Sequence, residues 1–176
     1  MSTESHPMYE WNTLPWTKIE REVFKLQKRI YQASQHGNQE LVHKLQRLLI
    51  RSWSAKCLAI RRVTQENQGK KTAGVDGIKS LPPQQRMYLV QILHIDLPVL
   101  PARRVWIPKP NAPTEQRPLG IPTLFNWAAQ MLLKLALEPK WEAKFEPNSY
   151  GLASLVRRIV SCCIFHAPSW PPEPTT

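Results

Sequence analysis

Ten lysines and arginines stand between Leu41 and Arg86: Lys44, Arg47, Arg51, Lys56, Arg61, Arg62, Lys70, Lys71, Lys79 and Arg86. Only Glu66 and Asp76 oppose them, so this quarter of the 176-residue chain holds eight of its eleven net positive charges. Such a local excess raises the potential and draws a polyanion, and nucleic acid fits best. The alternative is a solvated helix face balanced by an acidic partner, although a face needed only for solubility would mix signs. Within this stretch, Gly69, Gly74 and Gly77 permit close backbone approach to another chain, and Lys70 and Lys71 add charge. The phosphate-loop pattern of Gly, four residues, then Gly-Lys is not present there. A phosphate-backbone contact and a plain surface turn are both open. Cys162, Cys163 and His166 are the other chemically suggestive group. Adjacent cysteines rarely share one tetrahedral metal site and a fourth ligand is not evident, so no metal site is expected.

The elements that must position these cations follow from apolar spacing. Residues 1–16 show no period and read as a loose lead-in. Thr17 with Glu20 forms a capping-box pattern, and Ile19, Val23, Leu26 and Ile30 make one helical stripe ended by Gly37. Asn38 can cap a second helix with Leu41, Leu45, Leu48 and Leu49 on one face, continuing through Ala55, Leu58, Ala59 and Val63. The short link predicts a helical hairpin, with Lys44, Arg47, Arg51, Arg61 and Arg62 largely off its apolar stripe. A third helix is expected over 80–93, with Pro82 or Pro83 in its first turn. Arg104–Ile107 then reads as a strand closed by Pro108-Lys109-Pro110. A polar loop through Glu115 leads to a second extended run, Arg117–Pro122. Thr123 can cap a last helix that buries Trp127, Met131 and Leu135 and is kinked or restarted at Pro139. The order of elements predicts an α+β fold whose sheet looks unfinished.

Hydrophobic residues make up 42% of the chain, enough for a core, and no run approaches the ~20 apolar residues of a membrane span. Residues 1–7 lack the basic and apolar regions of a secretory signal. Three cysteines are too few and too badly spaced for a disulfide framework. A soluble cytoplasmic protein is the expectation.

Trp11, the segment 25–30, Arg61-Arg62 before Val63-Thr64, and the loop Gly74-Val75-Asp76-Gly77 together resemble the N-terminal region of group II intron reverse transcriptase/maturases. Residues 104–110 (Arg-Val-Trp-Ile-Pro-Lys-Pro) and 117–123 (Arg-Pro-Leu-Gly-Ile-Pro-Thr) resemble that family's first two fingers motifs, and 138–151 continue the likeness. The resemblance implies a mainly helical RNA-binding module over 17–93 followed by an incomplete fingers subdomain over 94–151, with a small antiparallel hairpin. It also implies that Lys44, Arg47, Arg51, Arg61, Arg62, Lys70 and Lys71 contact intron RNA or the template backbone. Lys109 and Arg117 match fingers residues that touch the triphosphate of the incoming deoxynucleotide, where cations offset negative charge. On the residues alone, Lys109 reads rather as a solvated turn residue, and Arg117 as a partner of Glu115 or Glu138.

The likeness stops at Gly151. Residues 152–176 are expected to be an unrelated, disordered tail, as a frameshift would produce. Two-metal nucleotidyl transfer needs converging carboxylates, yet the chain's two aspartates, Asp76 and Asp96, both precede the fingers motifs. The resemblance therefore implies a family of Mg2+-dependent RNA-directed DNA polymerases, but no catalytic residues, no cofactor and no polymerase activity in this chain alone. The alternatives are a split polymerase whose palm is on another chain, or a nucleic-acid-binding protein recycled from such an enzyme. A fingers subdomain without a palm is further expected to leave the face of Trp127, Met131, Leu132 and Leu135 partly exposed, a surface for a palm-bearing partner or self-association.

Overall fold

A computed structural model describes residues 10–67, 72–96, 100–110 and 112–145. Helix α1 (Trp16–Gln35) turns the expected stripe inward: Ile19, Val23 and Ile30 are buried and Leu26 is half-buried. The capping box at Thr17 does not form. The helix opens earlier, on the Pro15 carbonyl, which accepts from the N–H groups of Lys18 at 2.9 Å and Ile19 at 3.1 Å, so Thr17 is already inside the first turn. Nor are residues 11–16 loose. Trp11, in a short 3-10 turn (Trp11–Thr13), is 2% exposed, meets Trp16 edge-on at 5.0 Å and donates its indole N–H to Gln65 Oε1 at 3.2 Å. A single large ring can anchor a segment that has no periodic pattern to reveal it.

Gly37 ends α1 with φ +70°, and the Asn38 side chain accepts from the Leu41 N–H at 3.0 Å to open α2 (Gln39–Arg51). The inward stripe of α2 is Val42, Leu45 and Leu49, whereas Leu41 and Leu48 are exposed. A single helix does not continue past this point. Ser52 is extended (φ −64°, ψ 129°) and its carbonyl starts α3 (Trp53–Arg61), buried on nearly every side from Ser54 to Ile60. One straight helix cannot be amphipathic over its first half and buried all round over its second, and the break resolves that conflict. The chain then loosens into a π-helical turn (Arg62–Glu66). Thr64 Oγ1 donates to the Ile60 carbonyl at 2.8 Å, and Asn67 N–H reaches back five residues to Arg62.

Helix α4 (Pro83–Ile92) begins on Pro83 and buries Leu89 and Val90, leaving Tyr88 exposed. Strands β1 (Arg103–Lys109) and β2 (Ala112–Ile121) form an antiparallel ribbon, Arg103 opposite Ile121 and Ile107 opposite Arg117, with an irregularity after Pro108. Both strands run further than expected, and most of the anticipated polar loop before Arg117 belongs to β2. Glycine matters at one close approach in the preceding loop. A Cβ on Gly74 would lie 2.6 Å from the Pro122 carbonyl oxygen, so this glycine packs against its own chain rather than presenting backbone to another.

Helix α5 (Leu124–Glu142) is capped by Thr123, whose hydroxyl accepts from the Asn126 N–H at 3.2 Å. It runs through Pro139 without restarting. Proline deprives the Leu135 carbonyl of its helical donor, and Gln27 Nε2 on α1 supplies one at 3.0 Å. Gln46 Nε2 bonds the Ala136 carbonyl at 3.1 Å, and Ser34 Oγ bonds the last-turn Lys140 carbonyl at 3.0 Å. Helix α5 is thus the spine on which α1, α2, α3 and the π turn pack, in one shared core. This overturns the expectation of a bare fingers face: Leu132 and Leu135 are fully buried, Trp127 is 6% exposed and Met131 is half-buried, because the N-terminal helices cover them. The expected tail, and the match beyond 145, lie outside the described residues.

Candidate nucleic-acid interface

The predicted cations divide into three groups. Lys44, Arg47 and Arg51, spaced by three and four residues, share a line on α2 opposite its buried stripe. All three are exposed and none makes an ion pair among the described residues. Seven residues of helix set this line at about 10 Å.

Arg61 and Arg62 adjoin in sequence and differ in role. Arg61 is spoken for: its guanidinium lies 3.1 Å from both Glu20 and Glu66 and stacks 4.6 Å from the Trp16 ring centre. It ties α3 and the π turn to α1. Arg62 is half-buried in the π turn and has no ion pair among the described residues. Lys70 and Lys71 lie outside the described residues.

A further set of cations went unassigned in the sequence. Lys18, Arg21, Lys25 and Lys28, with Arg29 beside them, recur at three, four and three residues along the solvent side of α1, all exposed and without ion pairs among the described residues. Their spacing is legible in the sequence, where Glu20 and Glu22 stand among them.

Lys109 and Arg117 sit on the β-ribbon. Strand alternation turns Val105, Ile107, Leu119 and Ile121 to the core side, while Arg104, Trp106 and Pro118 face out. Arg117, directly opposite Ile107, shares the core-facing side at its solvent edge and is exposed with no ion pair among the described residues. Lys109, at the end of β1, pairs with Glu115. Its hydrogen bond and charge hold the Glu115 carboxyl below the usual carboxylate range. Of the two partners proposed for Arg117, Glu115 is therefore taken by Lys109. The base of the ribbon is held by Asn126 Nδ2, which donates to the Leu100 carbonyl at 3.0 Å, and by the Gly74–Pro122 contact.

Burial lowers the pKa of Lys56, and Arg86 lies 5.8 Å from the Trp11 ring centre, so these two cations serve packing. Among the described residues no three His, Cys, Asp or Glu side chains converge, and Asp76 instead accepts from the Ile78 N–H at 3.3 Å. The donor set of the described residues does not fit a magnesium pair. No helix among the described residues is long and apolar enough to cross a membrane.

Residues 11–93 match the N-terminal domain of reverse transcriptase. The chain is 34% identical over 141 residues to maturase-like protein 1 of Euglena gracilis and 27% identical over 150 residues to maturase-like protein 1 of Euglena longa. In this region the chain is similar to the N-terminal part of reverse transcriptases and maturase-like proteins. The similarity takes in 77% and 81% of this chain but only 30% and 32% of those two maturase-like proteins. Protein YkfC of Escherichia coli (strain K12) is 39% identical over 117 residues, covering 62% of this chain and 29% of its own length. The match to the reverse-transcriptase N-terminal domain thus spans α1 to α4, and the helix that completes its core, α5, lies beyond the residues of that domain match.

Proposed function

We propose that this chain binds RNA, of the intron or the template, through the outer side of the α1–α2 hairpin and the π turn, and that its β-ribbon presents Lys109 and Arg117 to the triphosphate of a deoxynucleotide. The observation that carries the reading is the line Lys44, Arg47, Arg51: three cations, exposed and without ion pairs among the described residues, opposite the buried stripe of one helix. Phosphate contact needs positive charge held out from the core at intervals of a few ångströms. Helix α2 supplies it without spending any of its packing face. Arg62 and the α1 cations extend the same surface chemistry.

In this reading the chain contributes binding and not strand synthesis by itself. Binding of a structured RNA, followed by fluorescence anisotropy across a salt series, tests it. Changing Lys44, Arg47 and Arg51 together to Ala should weaken binding and reduce the slope of log K against log salt by about 2–3. Unchanged affinity and slope would remove α2 from the interface. Extension of a primed RNA template by the purified 176-residue chain would overturn the assignment of binding alone.

A further inference from the structure

Lys109 has a partner already. Its ammonium donates to Glu115 Oε2, with the two side chains 49% and 61% exposed. The ribbon makes this pair by its irregularity. Pro108 is opposite Gln116, but the next residue, Lys109, is opposite Ala112, so β2 carries extra residues ahead of Gln116. That excess places Glu115 beside the end of β1. Pro110, following Lys109, keeps the Lys109 backbone extended.

Glu115 and Arg117 are two residues apart on β2 and therefore point to the same side of the ribbon. Glu115 is thus bonded to one cation and lies two residues along β2 from the other. A triphosphate that takes up Lys109 must compete with this carboxylate for the ammonium. We propose that Glu115 is a built-in competitor of the triphosphate, holding Lys109 until phosphate oxygens displace it. The proposal rests on the reading of Lys109 and Arg117 as a triphosphate pair. Its physical content is that one ammonium serves two acceptors in turn. Binding is therefore weaker than the two cations alone would give, and it responds to whatever withdraws Glu115.

The test uses the full chain and dATP as probe, with affinities from calorimetry for the wild type, Glu115→Gln, Lys109→Ala, Lys109→Ala/Glu115→Gln and Arg117→Ala. Glu115→Gln should bind roughly two- to fivefold more tightly, the range expected for releasing an exposed ion pair. Without Lys109 that gain should vanish. Equal affinity of Glu115→Gln and wild type overturns the proposal while leaving the triphosphate pair in place. So does a gain that persists in the Lys109→Ala background, which would mark a plain field effect. Wild-type affinity in both Lys109→Ala and Arg117→Ala, or no binding by any of the five proteins, removes the triphosphate pair and the competitor with it.

Discussion

The side-chain amide of Gln27 donates to the backbone carbonyl of Leu135 at 3.0 Å, across 108 residues of sequence. That carbonyl is the one that Pro139, lacking an N–H, cannot serve. Changing Gln27 to Ala should leave a partly buried acceptor unsatisfied and cost roughly 1–3 kcal/mol in urea denaturation. Pro139→Ala restores a backbone donor, so the loss should shrink in the Pro139→Ala background. A double-mutant cycle with no coupling would separate the two residues.

Arg61 and the α2 cations should part company when mutated. Arg61→Ala removes two ion pairs and the stacking on Trp16, a loss of about 1–2 kcal/mol. Lys44→Ala, Arg47→Ala and Arg51→Ala, on an exposed helix face, should each stay within about 0.5 kcal/mol of wild type in thermal unfolding.

The Gly74→Ala variant should be destabilised by roughly 1–3 kcal/mol, because the new methyl meets the Pro122 carbonyl oxygen at 2.6 Å and the Thr123 Cα at 2.9 Å. Both obstacles are backbone, so no side-chain rotation relieves them. A melting temperature equal to wild type would show that the strand–helix junction can move aside.

Burial pushes the Cys57 thiol up to about 12, leaving almost no thiolate at neutral pH. In a Cys162→Ser/Cys163→Ser background, alkylation by iodoacetamide at pH 8 should be negligible in the native protein and complete in denaturant. Fast labelling of the folded chain would contradict this.

Glu115 has its carboxyl pKa lowered by the hydrogen bond and charge of Lys109. A depressed folded value means the pair is fully present above the ordinary carboxylate pKa and is lost as pH falls through the folded one. Carbon-detected NMR titration of Glu115 should return toward the ordinary value in Lys109→Ala. An identical midpoint in the variant would show that the two groups do not interact in solution.

Much of this architecture could be read from local pattern. Asn38 and Thr123 cap the helices they precede, Gly37 ends α1, and Ile19, Val23 and Ile30 point inward as their spacing demands. Other features have no local signature. The buried side of α2 is turned toward Val42 and Gln46 and away from Leu41 and Leu48, because α1, α3 and α5 pack there. The continuity of α5 at Pro139 depends on glutamines from other helices, which no window around position 139 contains. At the interface, the exposed line on α2 was legible from spacing alone. The fate of Arg61 and the Lys109–Glu115 pairing depended on how elements meet.

Because α5 is the spine for helices that precede it by up to a hundred residues, those helices leave the ribosome well before the surface they need. From Glu66 to Glu142 the interval is about 4–15 s at ordinary elongation rates. Over that time the sides of α1, α2 and α3 that meet α5 lack that partner. The nascent chain is therefore most vulnerable to proteolysis and clumping just before the last helix emerges, and slowing translation there would lower the yield of folded protein.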